Sequence, residues 1–352
     1  MKQTPQQLEE FFIDYSSLDD FQRRIIDRKI DTSMVVTGHA GSGKSLIALH
    51  KAKQVAELGR SYVVVVYTKT LKKYFGDGLQ ALGLENVYNY HQWRKVKRNV
   101  EYMIVDECQD FTHDEIEEMR RYGNVCFFFG DVAQSIMNFQ DRQTQSPQET
   151  AKALGISKEE LESNFNLYRN YRLTRQVASL AEKVGNVPNF ADDCMRDGEK
   201  PLLLEAASFD AQLDKIAQII TNKSLTSVGI LLPHNKTEKG QMSVEYVKDY
   251  LRNKGITCEF KYSADQETAM DLDFHSSNPK IMTWWCAKGL QFKDVFIPGC
   301  DYNFGECRRA ALYVAMTRCC EHLYFGYQGS LCSLLPPKTS SVYSNSGTIN
   351  MI

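Results

Sequence analysis

The run Gly38-His39-Ala40-Gly41-Ser42-Gly43-Lys44-Ser45 fits the pattern G-x-x-x-x-G-K-[ST]. Each residue type in it has a chemical reason. Glycines let successive backbone N–H groups curl around phosphate oxygens, Lys44 supplies a cation to the β- and γ-phosphates, and Ser45 offers a hydroxyl to Mg²⁺. An apolar run precedes the loop and a helical pattern follows, so a helix N-terminus points at the anion. A second constellation, Tyr102-Met103-Ile104-Val105-Asp106-Glu107, ends an apolar strand on two carboxylates. Asp106 suits Mg²⁺ binding through water, and Glu107 beside it can polarise an attacking water. The chemistry implied is hydrolysis of a nucleoside triphosphate with Mg²⁺. Lys44, Asp106 and Glu107 are its catalytic residues, and Ser45 and Asp106 hold its metal.

Such residues must be positioned by strands and helices, and the sequence alternates between the two. Short apolar runs recur at Met34–Val36, Tyr62–Val66, Met103–Val105, Val125–Phe129, Leu202–Leu204, Val228–Leu232, Ile281–Met282 and Val295–Ile297. They do not alternate polar with apolar, which is how strands read when helices cover both faces of a parallel sheet. Helical patterns lie between them, as at Lys44–Leu58, His113–Arg121, Gln212–Thr221 and Ser243–Asn253. The expected class is α/β. A chain of 352 residues has the length of about two domains. The polar stretch Asp141–Ser163 places their boundary, giving domains 1–163 and 164–352. The Ser- and Thr-rich tail Pro336–Ile352 is expected to be loosely held.

Composition narrows the function classes. Hydrophobic residues make up 43% and charged residues 24%, which excludes a disordered chain. No apolar run approaches the length of a membrane span, and the N-terminal residues are polar, so a cytoplasmic protein with no membrane partner is expected. Lys and Arg total 42 against 44 Asp and Glu, a net charge of −2. That argues against binding nucleic acid by bulk charge but leaves room for a local basic cleft. The ten cysteines show no C-x-x-C and no zinc-site spacing, and read as reduced core thiols.

Asp106-Glu107-Cys108-Gln109-Asp110 reads D-E-x-Q-D and resembles motif II of superfamily 1 helicases of the UvrD/PcrA/Rep type. The other motifs of that family follow in order. Leu18–Gln22 resembles the Q-motif, which implies that Gln22 reads the adenine edge with its amide. Tyr67-Thr68-Lys69-Thr70 resembles motif Ia, which implies single-strand contacts from Thr68 and Lys69. Asn89-Tyr90-His91-Gln92-Trp93 resembles the T-x-H segment that lines the same path, with Asn89 in place of Thr and His91 as the contact. Phe128–Ile136 resembles motif III, with Gln134 directed at the γ-phosphate. Phe139 stands where the family stacks a tryptophan on a base; a phenylalanine stack is still worth about 1–3 kcal/mol.

Leu167–Arg172 resembles motif IV, giving Tyr171 to adenine and Arg172 to the γ-phosphate. Thr283–Phe292 resembles motif V, with two departures. Trp285 replaces a histidine and is a candidate for stacking on a base. Gln291, after Lys288-Gly289-Leu290, replaces the glutamate that accepts from the ribose, so Gly289 and Gln291 still border the nucleotide but without charge assistance. Arg308–Arg318 resembles motif VI. Its spacing puts Leu312 and Met316 on one helix face and Val314 and Arg318 on another. Arg318, planar and permanently charged, suits phosphoryl oxygens.

The resemblance implies two RecA-like P-loop domains with parallel sheets flanked by helices. ATP and Mg²⁺ lie in the cleft between them, and a single strand crosses their top. It also implies 3′→5′ movement on DNA, with RNA an open alternative. Lys69, Lys72 and Lys73, and then Arg94, Lys95, Lys97 and Arg98, are candidates for a local basic groove. The intervals Thr68–Asp106 and Arg172–Thr283 leave no room for the family's accessory domains, so a bare two-domain motor is expected. Three readings stand: a translocase or helicase, a nucleic-acid-stimulated ATPase that serves a protein partner such as a nuclease in anti-phage defence, and an ATPase that works without nucleic acid.

Overall fold

The computed structural model describes residues 13–67, 72, 82–137, 141–236, 240–261 and 272–344. The chain divides into two units, with the break between Asn170 and Tyr171. Each unit is built on a six-stranded sheet in which every neighbouring pair is parallel. The α/β class with two helix-flanked parallel sheets is therefore what the unbroken apolar runs specify.

In the first unit the strands are β1 (Met34–Gly38), β2 (Tyr62–Val66), β3 (Val87–Asn89), β4 (Val100–Val105), β5 (Gly123–Gly130) and β6 (Asn166–Leu167), in the order β3-β2-β4-β5-β1-β6. Val35 pairs with Phe128 and Ile104 with Phe127, and all four are buried. The helix Lys44–Glu57 buries Ile47, Ala48, Ala52 and Val55, facing the β-branched surface of β1 and β2. β1, β4 and β5 end on Gly38, Val105 and Gly130, so the loop Gly38–Ser45, the Asp106–Glu107 pair and Asp131 all emerge at the carboxyl ends of neighbouring strands. That end of an open parallel sheet is where ligands bind.

The division falls after Asn170, seven positions beyond the polar stretch. The reason is β6. Thr37 pairs with Asn166 and Gly38 with Leu167, and Phe165 and Leu167 are buried in the first core. A two-residue strand has no periodicity to read.

The second unit holds all but the first residue of β7 (Asn170–Thr174), which pairs with β8 (Cys194–Arg196). Its main sheet contains β9 (Leu202–Glu205), β10 (Val228–Leu232), β11 (Glu259–Lys261), β12 (Lys280–Thr283), β13 (Phe292–Ile297) and β14 (Cys319–Tyr327), ordered β11-β12-β10-β13-β14-β9. β14 is absent from the apolar runs because Glu321 and His322 interrupt it. The rings of Phe296 and Tyr324 stack at 4.4 Å across β13 and β14. The tail is not loose as far as residue 344. Tyr343 is 1% exposed, donates its hydroxyl to the Pro336 carbonyl at 3.1 Å and meets Phe325 edge-on. One aromatic anchor outweighs the polar composition around it. Residues 345–352 lie outside the described part. All ten cysteines are free thiols, and among the described residues no helix is long and apolar enough to cross a membrane.

A buried Asp294 binds His322 Nδ1 at 2.8 Å. This hydrogen bond, aided by the aspartate charge and opposed by burial, raises the imidazole pKa. A raised histidine contributes stability that is complete below the unfolded value of about 6.5 and is lost as pH rises through the folded value. The Tm advantage of the natural protein over His322→Gln is therefore expected to shrink as pH rises from about 6, by calorimetry at a series of pH values. An advantage constant between about pH 5 and 9 refutes this. The variant comparison is needed because burial lowers the pKa of His50, which contributes with the opposite sign.

Candidate active site

The loop Gly38–Ser45 is shaped by contacts that leave no space for side chains at two glycines. A Cβ on Gly38 would lie 2.6 Å from Ser42 Oγ and 2.8 Å from the Leu167 carbonyl. Gly43, at φ +92°, caps the helix Lys44–Glu57, and a Cβ there would lie 2.4 Å from Gln22 Nε2. Lys44 is 7% exposed, and its ammonium donates to the Gly38 and His39 carbonyls at 2.8 and 2.9 Å. Ala40 is buried, its carbonyl accepting from Asn170 Nδ2 at 2.8 Å. Gly41 adopts φ +79°.

Asp106 follows β4, its N–H bound to the Val65 carbonyl at 3.0 Å. Ser45 Oγ donates to Asp106 Oδ2 at 2.6 Å, and the Glu107 N–H donates to Oδ1 at 3.0 Å. The two residues expected to hold the metal are thus in contact. Burial, and next the Glu107 carboxylate, hold the Asp106 carboxyl well above the usual range, against the pull of Ser45 and Lys44. A divalent cation at this place favours the ionised form. Glu107 sits at φ +56°, a left-handed conformation rare for glutamate. Such strain, of order 1–3 kcal/mol, clusters at functional sites.

From Glu107 a chain of bonds runs to Gln134. Gln109 Nε2 donates to Glu107 Oε2 at 2.5 Å, and the Asp131 N–H donates to Gln109 Oε1 at 3.0 Å. Gln134 Nε2 donates to Asp131 Oδ2 at 2.7 Å. All four side chains are buried. Gln109 and Asp131 were not among the candidates. Each is nonetheless an amide or carboxylate inside a motif, Gln109 two residues from Glu107 and Asp131 three from Gln134.

Gln22 is buried beside this loop, with both ends of its amide in use. Its Oε1 accepts from the Asp19 N–H, and its Nε2 donates to the Ser42 carbonyl, both at 3.3 Å. The bond from the Asp19 N–H is the return half of a capping box on the helix Asp20–Ile26.

The second unit gathers its own group. Arg172 Nε donates to Gln291 Oε1 at 3.2 Å. Arg318 is 1% exposed, and its guanidinium donates to the Val314 carbonyl at 2.9 Å, the Leu290 carbonyl at 3.3 Å and Thr317 Oγ1 at 2.9 Å. The helix Arg309–Met316 ends before Arg318, so Arg318 lies past the helix rather than on the face of Val314. Gly289 turns at φ +82°. Tyr171, next to Arg172, is half-buried. The half-buried Trp285 ring stacks on Trp284 at 6.2 Å and carries the Arg308 guanidinium 5.0 Å above it.

For nucleic acid, His91 is exposed on the short helix Tyr90–Trp93. Thr68, Lys69, Lys73 and Phe139 lie outside the described residues. The second basic cluster is partly neutralised. Lys97 and Arg94 both pair with Glu118, and Arg98 donates to Asn86 Oδ1 at 2.6 Å.

The site fits a nucleoside triphosphate with Mg²⁺. Its loop has no room for a Cβ at Gly38 or Gly43, and the buried Ser42 Oγ has no hydrogen-bond partner among the described residues. Lys44 and the loop N–H groups would hold the phosphates, and Ser45 and Asp106 the metal. When bound, Mg²⁺ neutralises charge on the β- and γ-oxygens.

Residues 34–229 match the viral superfamily 1 RNA helicase core domain family. No curated protein matches the chain. Solved structures similar to it include the C-terminal domain of a possible DNA helicase from Lactobacillus plantarum WCFS1. That match has 19% identity and a TM-score of 0.37, over 49% of this chain and 97% of that one. Arterivirus nonstructural protein 10, a helicase, is also similar. In its complex with DNA it shows 16% identity and a TM-score of 0.42, over 87% of this chain and 62% of that one. A second structure of it gives 15% and 0.43, over 87% and 61%. The chain spans about three fifths of the arterivirus proteins.

Proposed function

Because the chain belongs to the viral superfamily 1 RNA helicase core domain family, we propose that it is a motor that hydrolyses ATP with Mg²⁺ and moves along single-stranded nucleic acid. The observation that carries the reading is the bonded series Ser45–Asp106–Glu107–Gln109–Asp131–Gln134. It runs from the half-buried Ser45 of the loop through buried Asp106, Glu107, Gln109 and Asp131 to Gln134, and so supports their acting together. In this reading Lys44 and the loop bind the triphosphate. Glu107 orients the attacking water, and Gln134 registers loss of the γ-phosphate. Tyr171, Arg172, Gly289, Gln291 and Arg318 complete the nucleotide's surroundings, Gln22 serves the base end, and Thr68, Lys69, His91, Phe139 and Trp285 contact the strand.

The ordered motifs support the finer reading of a UvrD/PcrA/Rep-like motor, cytoplasmic and running 3′→5′ on DNA. The short intervals between Thr68 and Asp106 and between Arg172 and Thr283 favour a second reading, an ATPase that drives a partner such as a nuclease without unwinding by itself. ATP turnover with and without single-stranded DNA or RNA tests the function. Stimulation by about tenfold or more by one of them is expected, and equal turnover with and without strands overturns it. Strand displacement on tailed duplexes then separates the two readings.

A further inference from the structure

The catalytic loop and three of the four segments proposed to touch the strand, those of Thr68, His91 and Phe139, meet at residues that none of the motifs singles out. Phe111, which follows D-E-x-Q-D, is fully buried. Its ring meets Tyr67 edge-on at 5.3 Å and Tyr90 edge-on at 5.3 Å. Tyr67 directly precedes Thr68, and Tyr90 directly precedes His91. The third segment arrives through Arg142, three residues after Phe139. The Arg142 guanidinium lies 5.2 Å above the Tyr67 ring. Nη2 donates to the Asp110 carbonyl at 2.7 Å and to Glu115 Oε2 at 2.6 Å, and Nη1 donates to the Met137 carbonyl at 2.9 Å. Further stitches fasten Ser135 and Gln145 to residues 109–111. The Gln145 N–H donates to the Phe111 carbonyl at 2.8 Å, and Ser135 Oγ reaches the Gln109 carbonyl at 3.4 Å. Asp110 in turn donates its N–H to the Glu107 carbonyl at 3.0 Å, one turn of 3₁₀ helix from the catalytic carboxylate.

We infer that Arg142 is a positioning residue that makes hydrolysis respond to the bound strand, by locking the segments before Thr68 and Phe139 to the Asp110 end of the catalytic loop. The inference rests on the proposed strand-stimulated hydrolysis. A strand acts directly only on the segments it touches, so coupling requires a packed element shared with the catalytic group. Here that element is the Tyr67–Phe111–Tyr90 ring cluster clamped by one guanidinium. Only a planar fork serves two carbonyls and a carboxylate while lying over a ring. A lysine retains the charge near Glu115 but loses the fork.

The test is steady-state ATP turnover of the full chain with oligo(dT) and oligo(U) as probes, for the natural protein, Arg142→Lys and Glu115→Gln. For Arg142→Lys, basal turnover within about twofold and a stimulation factor reduced about tenfold are expected. Glu115→Gln keeps an acceptor for the Thr112 N–H but loses the charge under Arg142, and is expected to reduce the factor about threefold. A merely structural role lowers basal and stimulated turnover and Tm together and leaves their ratio unchanged; that result overturns the inference. So does full stimulation of Arg142→Lys. If the natural protein itself responds to neither strand, the proposed function falls and the inference with it, a result distinct from failure of the variants alone.

Discussion

Glu107→Gln is expected to lower strand-saturated hydrolysis by about 10²–10⁴-fold, the usual contribution of a positioned general base, with nucleotide binding retained. The substitution is nearly isosteric, and the bonds that hold the side chain persist in kind. Gln109 Nε2, now on the carboxylate at 2.5 Å, can still donate to an amide oxygen. The backbone N–H on Asp106 Oδ1 is untouched. The phosphate loop is also untouched, because Lys44 bonds to Gly38 and His39 rather than to Glu107. Loss of the Glu107 charge removes one of the two influences that raise the Asp106 pKa, so Asp106 ionises more readily in the variant. Hydrolysis at the natural rate by this variant sinks the assignment of Glu107. A parallel loss of nucleotide affinity, read by titration with a fluorescent nucleotide, shows a binding role instead.

Much of this site was legible because its parts are contiguous. A glycine-rich loop between an apolar run and a helix, and two carboxylates closing another apolar run, each sit within eight residues or fewer. Backbone geometry then places both at the carboxyl edge of one sheet. What stayed hidden depends on distant partners. Arg142 belongs to no motif, and its value comes from carbonyls at Asp110 and Met137 and a ring at Tyr67. Gln22 was read by its chemistry as a base-reading amide. Only the fold shows that the amide also ties the Asp19 cap to the Ser42 carbonyl. Likewise, the sequence of Arg94–Arg98 shows four cations but not the Glu118 that offsets two of them. β6 and β14 were missed for opposite reasons. One is too short to have a period, and the other is interrupted by polar residues of which one, His322, has a buried partner.

The same logic bears on Arg318, whose replacement carries the largest expected rate effect. A guanidinium on the transferring phosphoryl group contributes about 10³–10⁵ in rate. Yet Arg318 is nearly as buried as any core residue, donating to the Val314 and Leu290 carbonyls and to Thr317 Oγ1. A purely structural arginine would look the same. Alanine cannot distinguish the roles, because orphaning buried acceptors costs about 1–3 kcal/mol each and lowers stability whatever the residue does in catalysis. Arg318→Lys separates them. Lysine keeps the charge and can satisfy part of the acceptor set, but not the fork. If Arg318 acts on the phosphoryl group, the rate falls at least about 10³-fold. The change in Tm stays at the few degrees that a kcal/mol or two produces in a chain of this size. Nucleotide affinity, dominated by Lys44 and its loop, changes far less than the rate. A rate within about tenfold of the natural protein, tracking the loss of Tm, assigns Arg318 to the packing between the helix Arg309–Met316 and the Leu290–Phe292 segment and removes it from the chemistry.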